Sequence, residues 1–349
     1  MQRLGGTEQS EAAVERGLKW LAAHQFAAGH WSIHELSCDH EQCIGLGTYP
    51  ADTAATGLAL LSFLGAGQTH IDGGYQSEVG RGLTWLVQQQ QANGSLAGPP
   101  SEFAQFYSHG IATIALCEAY GMSQDAKLHQ AAQRAVDFIV QSQHPNLGGW
   151  RYQPNQESDT SVSGWQLMAL RSAQMAGLKV PTKTFAAVGD WLDVVEDETL
   201  PGRFRYHPTR PVTEAMTAEG LLMKQYLGTP ATDASLQQGA AWLVQRLPRT
   251  DAPNAYYWYY ATQVMFHLQG PHWETWNATT RDLLVNTQQT EGPAAGSWDP
   301  ERPVKDAWGR SGGRLYVTCL HLLMLEVYYR HLPLYDDLDR QDLLSRSSR

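Results

Sequence analysis

Arg16-Gly17, Trp20-Leu21, Gln25 and Gly29-x-Trp31 form a signature that decides how the chain is read. It returns as Arg81-Gly82, Trp85-Leu86, Gln90 and Gly94-x-Leu96, with every offset from the arginine preserved. A third copy runs Arg134, Phe138-Ile139, Gln143 and Gly148-x-Trp150, and a partial copy ends Gln288, Gly296-Ser297-Trp298. Two worn copies complete the set: Trp191-Leu192 with Gly202-x-Phe204, and Gly239 with Trp242-Leu243. A unit recurring every roughly 40 to 65 residues is long enough for two helices and implies an array of stacked units.

Working outward, the first segment of each unit has helical periodicity. Val14, Leu18, Leu21 and Ala22 share one face of such a helix. A loop rich in Gly, Pro and Asn follows, and then a more uniformly apolar segment: 53–64, 110–120, 160–176, 216–227, 259–268 and 315–329. A helix apolar on most sides is a buried one. The pattern therefore predicts an all-α protein of six hairpins, each with an amphipathic outer helix and a buried inner helix. Six hairpins can close into a ring. Residues 1–10 are expected to form a flexible start, 11–334 the ring, and 335–349 a disordered tail, because Asp336, Asp337, Asp339 and Asp342 sit in no core pattern.

The 349 residues are 42% hydrophobic and 17% charged, the balance of a globular protein. No apolar run reaches the 18 or so residues that span a bilayer. A net charge of −10 leaves no basic stripe for nucleic acid. Met1–Glu15 has no leader pattern and four cysteines make no disulfide scaffold, so a reducing, cytoplasmic compartment is expected.

The Arg-Gly, Trp/Phe-Leu, Gln, Gly-x-Trp signature resembles the QW repeat of squalene-hopene and oxidosqualene cyclases. More broadly it resembles the α/α toroids of terpenoid cyclases and protein prenyltransferase β-subunits. The stretches Ser158–Gln166, Tyr256–Gln263 and Gly313–Thr318 also resemble a bacterial, notably planctomycete, group known only as prenyltransferase/squalene-oxidase repeats. The resemblance implies a single α6/α6 toroid in which Trp31, Trp150, Trp298, Gln25, Gln90 and Gln143 are scaffold.

The same resemblance tests the chemistry. Class II cyclases protonate an alkene with the middle Asp of Asp-x-Asp-Asp before an inner helix. Here the stretch is Gln156-Glu157-Ser158-Asp159-Thr160, with Ser158 in the position of the acid. Asp159 stands where a helix cap belongs, which favours its ionised form, and Asp52 before Thr53 reads as a parallel cap. Prenyltransferases hold zinc through Asp-x-Cys and a His, but Asn254–Tyr257 and Tyr316–Thr318 supply no such set, and Cys319 and His321 point to different helix faces. His34, Cys38, His40 and Cys43 in the first loop have metal-ligand types, yet free thiols or a local disulfide is the plainer reading. No metal and no cofactor are expected. Asp190, Asp193, Glu196 and Asp197 have helical spacing and read as a solvated outer face, and Arg203, Arg205, His207 and Arg210 as a solvated loop that could contact an anion.

What remains lies at the starts of the inner helices, which by the resemblance line the mouth of the ring. Candidate ligand-binding residues are Asp52, Tyr107, His109, Trp165, Tyr256, Tyr257, Arg314 and Tyr316, and the candidate acids are Asp159 and Glu219. Aromatic side chains with a few carboxylates suit a small-molecule pocket. Three readings stand: a toroid binding a small or apolar ligand, or a protein partner, in its mouth; an isoprenoid-acting enzyme using Asp159; and a carbohydrate-active toroid using Asp159 and Glu219 as a carboxylate pair.

Overall fold

The computed structural model describes residues 4–35, 37–38, 43–98 and 102–330. Helices dominate them, and β-structure is limited to isolated bridges such as Trp150 with Asp159. The outer helices are α1 (Glu8–Ala23), α3 (Gln76–Gln89), α5 (Ala126–Ser142), α7 (Thr182–Val195), α9 (Ala234–Val244) and α11 (Gly270–Thr287). The inner helices are α2 (Asp52–Gly65), α4 (Gln105–Ser123), α6 (Thr160–Met175), α8 (Glu214–Tyr226), α10 (Ala255–Leu268) and α12 (Gly309–Leu325), followed by a short α13 (Val327–Arg330). Each inner helix packs on the next, and α12 returns to α2. The ring closes.

The two helix classes follow from their composition. In α2 every residue after Asp52 is buried, whereas α3 buries only Val79, Gly82, Leu83 and Leu86. Trp31, Trp150 and Trp298 sit beneath the outer helices, and each indole N–H donates to a carbonyl of its own repeat's outer helix: Leu21, Ile139 and Leu284, at 2.7, 2.8 and 3.0 Å. Burying each indole contributes on the order of 4–6 kcal/mol gross.

The glutamines join neighbours. Gln25 donates through its amide to the Gly29 carbonyl at 2.7 Å and to the Glu78 carbonyl of α3 at 2.9 Å. Gln90 spans Gly94 and Ala131 of α5, and Gln143 spans Gly148 and Thr184 of α7. Gln288 spans Gly296 and Ala13 of α1, tying the last repeat to the first. The amide oxygens are used as well, accepting from Arg81, Arg134 and Arg16 of the following outer helix. The signature's arginine thus serves the glutamine of the repeat before it.

The paired glycine has a steric cause. Gly296 has φ +95, and a Cβ there would lie 2.1 Å from the Arg16 carbonyl oxygen; at Gly94 (φ +92) it would lie 2.2 Å from that of Arg134. Only glycine tolerates both the left-handed backbone and the contact.

The structure departs from the sequence reading in three places. Helix α1 starts at Glu8 with a Thr7 capping box, and the Gly5 carbonyl accepts from Asn277 and Arg281, so part of the stretch expected to be flexible is tied down. Ala51, not Asp52, is the cap residue of α2, and no side chain caps that end. Glu196 and Asp197 are not a solvated face: Glu196 pairs with Lys224 at 2.6 Å, while Asp197 is buried against Arg205, Thr199 and the Leu200 amide. The expected tail, 335–349, lies outside the described residues.

Gln288→Ala leaves the Ala13 and Gly296 carbonyls without their donor at the closing seam. It should cost about 1–3 kcal/mol in urea unfolding, against less than ~0.5 kcal/mol for the exposed Gln9→Ala. Equal losses would show that the seam carries no special load.

Candidate functional site

At the amino-terminal ends of the inner helices the side chains form two hydrogen-bonded chains. Asp159 caps α6: its Oδ1 accepts from the Val162 amide at 2.7 Å, as an N-cap should. Its Oδ2 accepts from the Tyr206 hydroxyl at 2.9 Å, Tyr206 in turn meets the Tyr152 hydroxyl, and the Arg151 Nε stands 3.8 Å from the carboxylate. Asp159 is fully buried, and desolvation pushes its pKa up to about 7 despite these partners. Ser158 is buried beside it and accepts from the Gly149 amide at 3.1 Å, a structural bond at the position where the resemblance would place an acid.

The second chain runs from Tyr107 through Ser161 (2.8 Å) and Tyr256 (2.6 Å) to Glu219 (3.0 Å). Glu219 lies fully buried against Gly164 of α6, where a Cβ would come within 2.1 Å of its carboxylate. Burial raises its pKa well above the ordinary carboxylate value, although the Tyr260 and Tyr256 hydroxyls oppose the shift. Trp165 stacks on Tyr259 with centroids 5.7 Å apart, and the half-buried Tyr316 lies near Asp306 and Glu219.

The other candidates are committed to the scaffold. His109 Nδ1 accepts from the Leu96 amide at 3.0 Å and its Nε2 donates to the Ala135 carbonyl at 3.1 Å. Thr56, Ser163, Thr217 and Thr318 receive the equivalent amides of Trp31, Trp150, Phe204 and Trp298, so His109 fills the place of a repeat hydroxyl. Burial lowers its pKa to about 4 and keeps it neutral. Tyr257 turns outward, its hydroxyl donating to the Arg246 carbonyl in the loop between α9 and α10 at 3.0 Å. Arg314 is used up by the Ile44 carbonyl, Gln289, Ser297 and Asp299. Asp52 is half-exposed, 3.4 Å from His34. In the loop after α7, Arg205 is spent on Asp197, and Arg203 lies over the Trp242 ring.

The open volume is at the opposite end. A cavity of about 1120 Å³ is lined by the carboxyl-terminal parts of five inner helices, α2, α4, α6, α8 and α10, together with α1 and α13. Apolar contacts come from Leu18, Leu64, Met122 and Met168, and polar ones from Glu118, Arg171 and Arg330. Arg330 is almost wholly buried and pairs with Glu118 at 2.9 Å. Glu326 is buried nearby, and desolvation raises its pKa well above the usual range. None of the ten sequence candidates lines this cavity. The sequence reading also passed over His24, whose ring faces Cys38 and Cys43; both thiols are unbonded, so the local disulfide is not formed. His40 lies outside the described residues.

These features place the chain among known folds. Residues 1–109 match the squalene-hopene cyclase C-terminal domain. No curated protein matches the chain. Among solved structures it is similar to an inactive variant of the α-1,6-mannanase GH76A of Salegentibacter sp. HEL1_6 in complex with α-1,6-mannotriose: 10% identity, TM-score 0.64, 92% of this chain and 98% of that chain. An α-amylase from Clostridium perfringens gives 11% identity and TM-score 0.62 over 91% and 98%. A variant of the type II terpene cyclase MstE from Scytonema, in complex with geranylgeranyl dihydroxybenzoate, gives 15% and 0.57 over 92% and 97%. The protein is an α/α toroid. Over residues 1–109 it is also similar in sequence to the squalene-hopene cyclase C-terminal domain.

Asp159 sets a test with a definite sign. Its folded pKa of about 7 exceeds the ordinary 3.8, so the native state holds the proton more tightly than the unfolded chain. The associated stability is complete below about pH 4 and is lost as pH rises to about 7, a change on the order of 4 kcal/mol. Asp159→Asn keeps a capping oxygen and removes the titration. Buried histidines such as His109 contribute equally to both proteins and cancel in the difference. Wild-type stability should therefore fall relative to the variant across that window in urea titrations; parallel curves would mean that Asp159 titrates normally.

Proposed function

We propose that the protein binds a small, largely apolar ligand in the cavity at the carboxyl-terminal mouth of its inner ring. The cavity itself carries this reading: about 1120 Å³ lined by Leu, Met and Ala side chains, with charged groups contributed by α1, α4, α6 and α13. Concave apolar volumes with sparse, placed polar groups are what small-molecule sites look like. The terpene cyclase of the same fold holds a geranylgeranyl compound, a ligand of the right bulk and polarity for such a space. Glu8, Glu11, Glu15 and Glu118 outnumber Arg171 and Arg330 around the lining, which favours an isoprenoid-like ligand with a neutral or cationic end over a diphosphate. Neither Asp-x-Asp-Asp chemistry nor a prenyltransferase zinc set belongs to this reading.

A second reading, an enzyme using Asp159 alone or with Glu219, draws support from one observation. Two buried carboxyls with raised pKa values stand at the amino-terminal mouth, and such groups concentrate at functional sites. On an isoprenoid it would be an unconventional cyclase; on a sugar, a hydrolase of the carboxylate-pair kind.

Thermal shift separates the readings. Geranylgeraniol should raise the Tm of the wild-type protein and of Asp159→Asn alike, and should fail to do so in Ser172→Trp, whose new ring enters the cavity. α-1,6-Mannotriose should leave all three unchanged. A response to the sugar that vanishes in Asp159→Asn would replace the first reading with the second.

A further inference from the structure

The α1–α2 connection, residues 24–51, is the longest between a pair of helices in this ring, and its described residues hold no regular element beyond single turns. Long structureless loops inside a compact domain call for a reason. One side chain from its start and two from its interior come together. His24, the C-cap residue of α1, is buried, and its Nε2 lies 3.2 Å from the Cys43 sulfur and 3.3 Å from the Cys38 sulfur. All three donor atoms lie within 4.8 Å of one another. We propose that His24, Cys38 and Cys43 form a zinc site that staples this loop to the end of α1.

The surroundings fit a ligand set better than a chance meeting of side chains. The His24 Nδ1 stands 2.7 Å from the Trp20 carbonyl, to which it donates. That bond fixes the tautomer with the Nε2 lone pair facing the sulfurs, the outer-shell arrangement that metal-bound histidines use. The ring also stacks on Trp20 with centroids 4.3 Å apart, which fixes its plane. On the other side, Arg314 donates to the Ile44 carbonyl at 2.9 and 3.0 Å, holding the backbone next to Cys43 from across the closing seam. The ligands are thus held by groups that do not themselves bind the ion.

The distances and the donor chemistry agree on the ion. Tetrahedral zinc with Zn–S near 2.3 Å and Zn–N near 2.0–2.1 Å places its ligand atoms roughly 3.5–3.8 Å apart. A few tenths of an ångström of opening would bring the sulfurs and the imidazole to those separations. Two thiolates and one imidazole select a borderline-soft ion over magnesium or calcium. Binding would release a proton from each thiol and leave the site with two thiolates balancing the dication.

The test uses the intact protein purified with zinc in the medium. Elemental analysis should find one zinc per chain, and removal by a chelator should lower the Tm, with zinc restoring it. Cobalt added to the stripped protein should give a thiolate-to-metal charge-transfer band and the visible bands of a tetrahedral centre, and calorimetric titration in two buffers should show about two protons released. Cys43→Ser and His24→Ala should each lose the bound equivalent. If these variants fail to fold, the cobalt spectrum of the wild-type protein decides alone. Metal well below one equivalent after zinc loading, no charge-transfer band, or Cys38 and Cys43 recovered as a disulfide would each overturn the proposal.

Discussion

Closure of the ring rests on one side-chain amide placed between two repeats. An inner helix that is apolar on nearly every side is stable only if its neighbours cover it, so an open array would leave α2 and α12 with a bare flank each. The glutamine of the signature prevents that by donating at once to the glycine carbonyl of its own loop and to the first turns of the next outer helix. Gln288 makes the same pair of bonds to Gly296 and Ala13, so the seam between last and first repeats is built like the others. The arginine beneath the oxygens of Gln25, Gln90 and Gln288 and the glycine that lets two backbones approach are consequences of that one placement.

The fold was legible for this reason. Trp31, Gln90 and Gly148 stand at fixed spacing because they perform one mechanical task in successive repeats, and periodicity alone separated inner from outer helices to within a few residues. Repeat 5, where only Gly239 and Trp242-Leu243 persist, lies where neither glutamine nor left-handed glycine completes the clamp. Sequence worn away there marks geometry that has been relaxed.

The site was less legible, and the reasons are physical. His109 looked like a pocket histidine because its residue type is rare at that position, yet alignment of the repeats places it with Thr56 and Ser163, which accept the same amide. Arg314 and Tyr257 carry chemistry-bearing groups that satisfy distant carbonyls, a demand that local spacing does not reveal. The cavity escaped notice because its walls, Glu118, Met122, Arg171 and Met175, read as ordinary helix ends. His24 escaped because it closes the end of a helix while its sulfur partners stand inside the loop, fourteen and nineteen residues further on. Asp159 was read correctly as a cap in geometry, but its burial, and hence its proton affinity, depends on Tyr206 and the loop after α7.

That all six inner helices run the same way has an electrical consequence. Their aligned peptide units place the positive ends around Asp159 and Glu219 and the negative ends around the large cavity, each helix contributing about half an elementary charge. At that rim the outer helices, which run the other way, bring their positive ends and offset part of this field, so Glu118 and the glutamates of α1 supply the charge that favours cations over anions. Arg171 and Arg330 sit within that rim as local counterweights. The inner ring and the outer ring thus oppose each other electrically, and the balance of charge at the entrance is left to the side chains that stand there.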